Sequence, residues 1–579
     1  MTTSSQDRAH AAQPFLPRFS DERDIDEFVG KLESFERGEI GPDAFRAFRL
    51  TRGVYGQRQA DEQMLRVKLP SGIFGREQLD ALADVADKYS RGFGHFTTRQ
   101  NMQLHFIKMS DAEAAMRRCD EAGLTTREAC GNSVRNVTTC ESASICTAAP
   151  FDVTPHAEAI VRYFLRHPLA ATLPRKFKIA FSGCPHDCAF GAIHDIGFVA
   201  VVKDGVPGFK VLAAGGLSTL PMAALELHDF VPGPEIGRVG EAILRLFDRL
   251  GNRENKHRAR MKYVRKKLGD EAFVAKYREL RAEVDAEAHA ELKLPQSPER
   301  TPAPAVLTDG RSHPGYLEWR AASVVDQRQD GYAAVYVRLE LGDITSAQMR
   351  QLGPILEKFG DGSGRVTIDQ NILIPFVDKR SLPALHAELV DIGLARLGVK
   401  TTRDVTSCPG AETCNLAVTA SRNLGKAISE RLEQPDAVGM AGSDKAVVKI
   451  SGCPNSCGQH HIADFGFHGA ARKENGKTVP MYQLHLGGGV DGRGATFGRQ
   501  VVKLIARRVP DAVVRLLKLY ADEKLHEESV TSFYQRVEPK RVVAYLGELV
   551  TTPPTDEEVA DIGEDVGFKI HTGEGECAA

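Results

Sequence analysis

Eight cysteines fall into two sets of identical spacing: Cys140-x5-Cys146 with Cys184-x3-Cys188, and Cys408-x5-Cys414 with Cys453-x3-Cys457. Four thiolates can close around one soft metal centre, either an iron–sulfur cluster or a structural zinc. In SGCPNSCG, residues 451–458, Pro454 and the flanking glycines favour the tight fold that would turn Cys453 and Cys457 toward one centre. Zinc ligands usually pair across two to four residues, so the x5 gap argues against zinc. Of the other three cysteines, Cys119 sits in the helical DAEAAMRRCDEAG as an apolar filler. Cys577 reads as an exposed thiol in a Gly/Glu-rich tail. Cys130 lies five residues before Arg135 and, with Tyr55, could approach a redox pocket. A Tyr–Cys thioether is conceivable there, and a buried free thiol is the simpler reading.

The elements that must carry these thiols repeat. Gln57-Arg58-Gln59 returns as Gln327-Arg328-Gln329 and Gln100-Asn101 as Gln370-Asn371, each 270 residues later. Val137-Thr-Thr-Cys140 is matched by Val405-Thr-Ser-Cys408, Ser182-Gly-Cys184-Pro by Ser451-Gly-Cys453-Pro, and Asp195-Ile-Gly-Phe198 by Asp464-Phe-Gly-Phe467. MLRVKL, REQLDALADVADKY and HFTTRQNMQLHF read as strand, helix and strand; AVYVRLEL, SAQMRQLGPILEKF and RVTIDQNILIPF repeat that plan. The chain is therefore a tandem duplication, each copy a small αβ module followed by a Cys-bearing module. LPQSPERTPAPAVLTDG, from Leu294, carries four prolines and reads as the linker. A long charged helical stretch runs from Glu235 to about Leu292. Its basic segment HRARMKYVRKK reads as a solvated face, with docking of an acidic electron donor as the sharper alternative. Residues 1–50 and 551–579 read as extended arms, the second acidic and mobile.

The chain has 579 residues, is 42% hydrophobic and 26% charged, and carries a formal charge of −2, the balance of an ordinary globular protein. That charge gives no footprint for nucleic acid or a membrane surface, and no apolar run approaches a spanning helix. With no secretory signal in the first residues, the expected compartment is the cytoplasm, where cysteines serve metals rather than disulfides.

TSCPGAETCN and SGCPNSCG, together with TTRQNMQ and LPRKFK upstream, resemble the siroheme-containing sulfite and nitrite reductases over residues 50–550. The resemblance implies an α+β fold with pseudo-two-fold symmetry: a ferredoxin-like half-domain plus a siroheme/[4Fe–4S] α/β module, in tandem. The boundaries expected are an arm to residue 50, half-domain 51–122, module 123–293, linker 294–316, half-domain 317–398, module 399–550 and tail 551–579. It implies a [4Fe–4S] cluster on Cys408, Cys414, Cys453 and Cys457, with Cys457 bridging to the siroheme iron. Asn455, Gln103 and His105 match positions against the macrocycle, and a packed polar strand explains His105 almost as well. Arg99, Arg135, Lys176 and Lys178 match the anion site; each alone would read as a surface residue, and their joint occurrence with the thiols selects them. Arginine suits planar oxyanion contact and lysine can also deliver protons.

The first set, Cys140, Cys146, Cys184 and Cys188, departs from the single-chain assimilatory pattern, in which it has usually decayed. A second [4Fe–4S] cluster, an empty vestige and zinc all remain open for it. The duplication also supplies a control: at the same offset Arg99 becomes Asp369, and RKFK gives way to DKAVVK, whereas Arg135 keeps a partner in Arg403. The active site should thus pair first-half cations with second-half thiolates. Lys178, VRNV and His105 favour sulfite as substrate over nitrite. No G-x-G-x-x-G fingerprint occurs, so electrons are expected from ferredoxin or a separate flavoprotein. An electron-transfer protein without haem is the alternative from another class; it would not need the four cations. The oligomeric state is left open.

Overall fold

The computed structural model describes residues 16–287, 292–296, 301–309, 312–437, 445–571, 573 and 575–576; Cys577 lies outside them. In chain order the first copy supplies β1 (Val54–Gly56), β2 (Glu62–Lys68), β3 (Ile73–Gly75), β4 (Phe93–Phe96) and β5 (Asn101–Lys108). Its Cys-bearing module supplies β6 (Thr138–Thr139), β7 (Ile179–Ser182), β8 (Ile196–Lys203), β9 (Val206–Ala213) and β10 (Leu225–Pro232). The second copy supplies β11 (Val324–Asp326), β12 (Tyr332–Val337), β13 (Asp343–Thr345), β14 (Ser363–Val366) and β15 (Ile372–Asp378). Then follow β16 (Thr406–Ser407), β17 (Val448–Ser451), β18 (Phe465–Glu474), β19 (Lys477–Leu486), the hairpin β20 (Gly489–Asp491) and β21 (Gly494–Thr496), and β22 (Arg499–Ile505).

The two small modules are not independent. Their sheets run β1-β2-β5-β4-β13 and β11-β12-β15-β14-β3, so each copy lends one short edge strand to the other. The helices Arg76–Tyr89 and Ser346–Phe359 pack together, and Leu79, Leu82, Val85, Met349, Leu352 and Leu356 share one core spanning both copies. A Thr345/Gln348 capping box starts the second helix, which carries Pro354 within it. Each Cys-bearing module is a mixed sheet, β10-β9-β8-β7-β6 and β16-β17-β18-β19-β22, with parallel pairs at its Cys end. Their separate cores are built on Phe177, Phe181 and Phe198, and on Phe465, Phe467 and Leu484.

Four expectations change. HFTTRQNMQLHF is two strands, because Thr97 Oγ1 accepts from the amides of Arg99 and Asn101 (both 3.2 Å) and turns the chain. The stretch from Glu235 is three helices, Ile236–Leu250, Met261–Leu268 and Asp270–Ala286, divided near Gly251 and at Gly269, whose φ is +81°. Its basic segment is not wholly solvated. Arg260 is buried on Asp195 (2.8 Å), and the buried Lys262 ammonium donates to the carbonyls of Leu217 and Leu220.

Nor are the described parts of the termini extended arms. Helices Glu22–Glu36 and Pro42–Thr51 put Phe28 and Phe45 into the shared core. In the tail, the Gly573 amide donates to Asn415 O (3.0 Å), and the Glu576 carboxylate takes both the Arg49 guanidinium and the Gly56 amide. The acidic end is thus seated by an ion pair and backbone bonds. Among the described residues no helix is long and apolar enough to cross a membrane.

Candidate active site

The repeated Gln-Arg-Gln and Gln-Asn landmarks position the thiols. Arg58 donates its amide to Thr413 O (2.8 Å) and its guanidinium to Ala417 O (2.7 Å), and Gln59 Nε2 reaches Glu412 O (2.8 Å). The first copy thereby clamps the Cys408–Cys414 loop of the second. Reciprocally, Arg328 donates to Ile145 O and Ala149 O and Gln329 to Ser144 O, clamping the Cys140–Cys146 loop. Gln100 and Gln370 each tie the start of a Cys loop: Gln100 Nε2 to Thr139 O (2.8 Å), and the Ser407 amide to Gln370 Oε1 (3.0 Å).

The Cys453–Cys457 loop turns tightly because Ser456 takes φ +57° and Gly458 lies so close to Ile450 O that a Cβ would overlap it, leaving Cys453 buried and Cys457 exposed to the cleft side. Cys408 Sγ accepts the Gly452 amide at 3.3 Å. Burial and then the neighbouring sulfurs, Cys457 first among them, raise the pKa of Cys408 and Cys453, and that of Cys414 to about 12. The first set assembles likewise: Cys140 Sγ accepts the Gly183 amide (3.2 Å), and Cys184 and Cys188 sulfurs stand 3.7 Å apart. Cys119 is buried, and Cys130 packs with Leu50, Met64 and Tyr55.

First-half cations face Cys457. Thr98 Oγ1 donates to Cys457 O (3.2 Å), placing the TTRQN turn on the second Cys loop. Arg99, one residue on, donates to Asn136 O and to the His194 ring, with its Nε left without a partner. Burial and then Arg135 lower its pKa to about 9. Lys178 is held well below its usual value by burial, then by Arg99, Arg260 and Lys176, with Cys457 acting in the opposite direction. Arg135 is positioned by bonds to Ala129 O (3.1 Å) and Gly131 O (2.8 and 3.2 Å). Arg66, which the sequence reading missed, also reaches Ala129 O and the Cys130 sulfur, both at 3.3 Å, beside Gln103 on the neighbouring strand. His105 is buried with Nε2 unpartnered, and burial takes its pKa to about 3. Asn455 Oδ1 accepts from Ser218 Oγ at 3.5 Å.

The duplicate cleft is neutralised. Asp369, where Arg99 stands in the first copy, pairs with Lys449 (2.8 Å) and Lys400 (3.1 Å), and Lys400 also holds Glu141 (3.0 Å). Burial opposes ionisation of Asp369, yet the two lysines keep its pKa well below the usual carboxylate range. Tyr336 replaces Arg66 and hydrogen-bonds Glu141. The first cleft therefore gathers Arg99, Lys178 and Arg260 around one buried carboxylate, Asp195, whereas the duplicate sets Lys400 and Lys449 against Asp369 and Glu141. Such a cleft fits a polycarboxylate macrocycle and an anionic substrate, and the four thiols of the second Cys loops beside it suit a cluster.

Two thiol sets on a duplicated α+β scaffold, one facing a cationic cleft, define a metal-cluster oxidoreductase. The model of the nitrite and sulphite reductase 4Fe-4S domain matches residues 130–285 and 398–538, and that of the nitrite/sulfite reductase ferredoxin-like half domain matches 55–122 and 325–392. The chain belongs to the nitrite and sulfite reductase family, whose cofactors are siroheme and a [4Fe–4S] cluster. It is 29% identical to the sulfite reductase [ferredoxin] 1 of Mycolicibacterium paratuberculosis, covering 83% of each chain. It is 31% identical to the ferredoxin–nitrite reductase of Leptolyngbya laminosa over 76% of this chain and 82% of that one. The solved structure of the Mycobacterium tuberculosis NirA protein superposes with TM-score 0.75 at 26% identity, covering 90% of this chain and 97% of that one.

Proposed function

We propose that this protein reduces sulfite to sulfide with six electrons drawn from ferredoxin or a flavoprotein, in the cytoplasm. In this reading Cys408, Cys414, Cys453 and Cys457 would hold the [4Fe–4S] cluster, Cys457 would be the thiolate that links it to the siroheme, and Asn455, Gln103 and His105 would help hold the siroheme. When bound, the cluster and siroheme supply electrons singly and an open iron position for the anion. The chain supplies the rest. Arg66, Arg99 and Arg135 orient the sulfite oxygens, and Lys176 and Lys178 deliver the protons that carry those oxygens away as water. Because burial, and then the neighbouring cations Arg99 and Arg260, depress its pKa, Lys178 surrenders a proton readily.

The observation that carries this reading is that the first-half TTRQN turn seats on Cys457, beside Arg99 and Lys178, whereas the equivalent duplicate position, Asp369, binds two lysines. The same contrast supports at most an electron-relay cluster on Cys140, Cys146, Cys184 and Cys188, without a second haem. Sulfite is favoured over nitrite by Lys178, which adds a second proton donor beside Lys176. Steady-state kinetics with each anion under reduced ferredoxin should give the higher kcat/KM for sulfite. A clear preference for nitrite, the activity named for several relatives, overturns the choice.

A further inference from the structure

Three histidines that this chemistry leaves unused meet on the second Cys-bearing sheet. His468 on β18 and His485 on β19 occupy the face opposite Phe467 and Leu484, and His460 reaches them from the turn His460–Ile462. The turn can cross β18 closely because residue 466 is glycine; a Cβ there would overlap the His460 carbonyl. One ring nitrogen from each histidine lies within 4.8 Å of the others. His460 is fully buried, and neither of its ring nitrogens has a partner. His485 is 1% exposed with Nδ1 unpartnered, while its Nε2 stands 2.8 Å from His468 Nδ1. Burying ring nitrogens without hydrogen-bond partners costs stability that a bound ligand would offset.

The fold does not require these residues. The register that sets Ser451 beside His468 and Gly466 beside His485 sets Ser182 beside Val199 and Gly197 beside Leu212 in the first copy. Gly191 there takes the place of His460. Val199 and Leu212 pack with Ala192 against Val490 and Ala495, an ordinary apolar patch. The second copy holds three imidazoles where the first holds hydrocarbon.

We propose that His460, His468 and His485 bind one divalent transition-metal ion of the zinc class, leaving a fourth coordination position open. Three nitrogen donors without carboxylates suit zinc, nickel, copper or ferrous iron rather than magnesium or calcium. Tetrahedral bonds of 2.0–2.1 Å place ligand nitrogens about 3.4 Å apart, which ring rotation reaches from the present spacing. Burial, the largest effect on each, holds His460 far below its usual pKa, His468 at about 4 and His485 at about 3, so all three are unprotonated at neutral pH. His461 does not join them. Its Nε2 is engaged by Ser218 O at 2.8 Å, and its ring lies tilted against His460 with centroids 4.2 Å apart and braces it. The open position would take water or a small anion.

The test uses the holoenzyme, dialysed against chelator and titrated with zinc, with zinc and iron counted together by mass spectrometry. The expected result is one zinc per chain, with affinity at least tenfold weaker in His468→Val and, separately, in His485→Leu. Both substitutions borrow the first copy's own residue, so the fold already accommodates them, and the iron count and visible spectrum should stay unchanged. The absence of stoichiometric uptake, or variants that bind as the parent does, overturns the proposal.

Discussion

Replacing Lys449 and Lys178 by methionine, one at a time, should damage the protein in two different ways. Lys449 is 1% exposed, with Nζ 2.8 Å from Asp369. At an effective dielectric near 20 that attraction is about 6 kcal/mol gross, and breaking such a pair by removing one partner costs about 3–5 kcal/mol. Lys400 stays on Asp369 at 3.1 Å, which sets the expected loss for Lys449→Met near the lower figure. Turnover per folded molecule should not change. Lys178 is the reverse case: burial and the cations around it already disfavour its charge, so methionine relieves repulsion. Cofactor-free Lys178→Met should hold its stability or gain about 1 kcal/mol, while losing about 10²–10⁴ in turnover with its proton donor. Urea unfolding and viologen-coupled turnover on both variants read the two effects. If Lys178→Met were destabilised as strongly as Lys449→Met while remaining active, the division into a charged working cleft and a neutralised duplicate would be wrong.

Three further outcomes follow from the same geometry. Arg66→Ala should raise KM for sulfite and lower kcat/KM by about 10- to 1,000-fold, with the visible spectrum kept, because a charge-assisted contact to an oxyanion is removed; unchanged kinetics would take Arg66 out of the site. In the cofactor-free protein Lys262 has its pKa lowered by burial from 10.5 to about 7. The unfolded chain therefore binds more protons between those values, and stability rises with pH across that window, fully present above 10.5 and lost as pH falls through about 7. Lys262→Met should flatten the rise in urea midpoint between pH 7 and 9, and an identical slope would contradict the burial. Truncation after Ile570 removes the Glu576–Arg49 pair and the Gly573–Asn415 bond, and should lower stability by about 1–3 kcal/mol. Urea unfolding of the truncated chain checks this, and an unshifted midpoint would show the tail to be energetically idle.

The Gln-Arg-Gln and Gln-Asn repeats were visible in the sequence, yet their purpose was not. Each Gln-Arg-Gln holds a cysteine loop of the other copy, 179 or more residues away, and no local pattern encodes that. The exchanged edge strands β3 and β13 have three residues each, too few for alternation to show. Arg66 was hidden because MLRVKL reads as a strand with one ordinary polar position. The duplication held the missing signal, since Tyr336 stands at the equivalent place. Arg260 and Lys262 were misread because a run of basic residues is usually solvated, whereas these two satisfy Asp195 and three buried loop carbonyls. The two cysteine sets and the asymmetry at Asp369 were legible because each depends on residue type at a repeated spacing, whereas the cation positions rested on the family resemblance, since RKFK has no counterpart in the second copy.

The central claim is that the working haem sits on second-half thiolates facing first-half cations. Electron paramagnetic resonance of purified Cys457→Ser and Cys188→Ser, recorded beside the parent, tests it most directly. The account predicts that Cys457→Ser loses the coupling between haem iron and cluster, while Cys188→Ser keeps both that coupling and turnover. Coupling that survives in Cys457→Ser and vanishes in Cys188→Ser would assign the site to the other half of the chain.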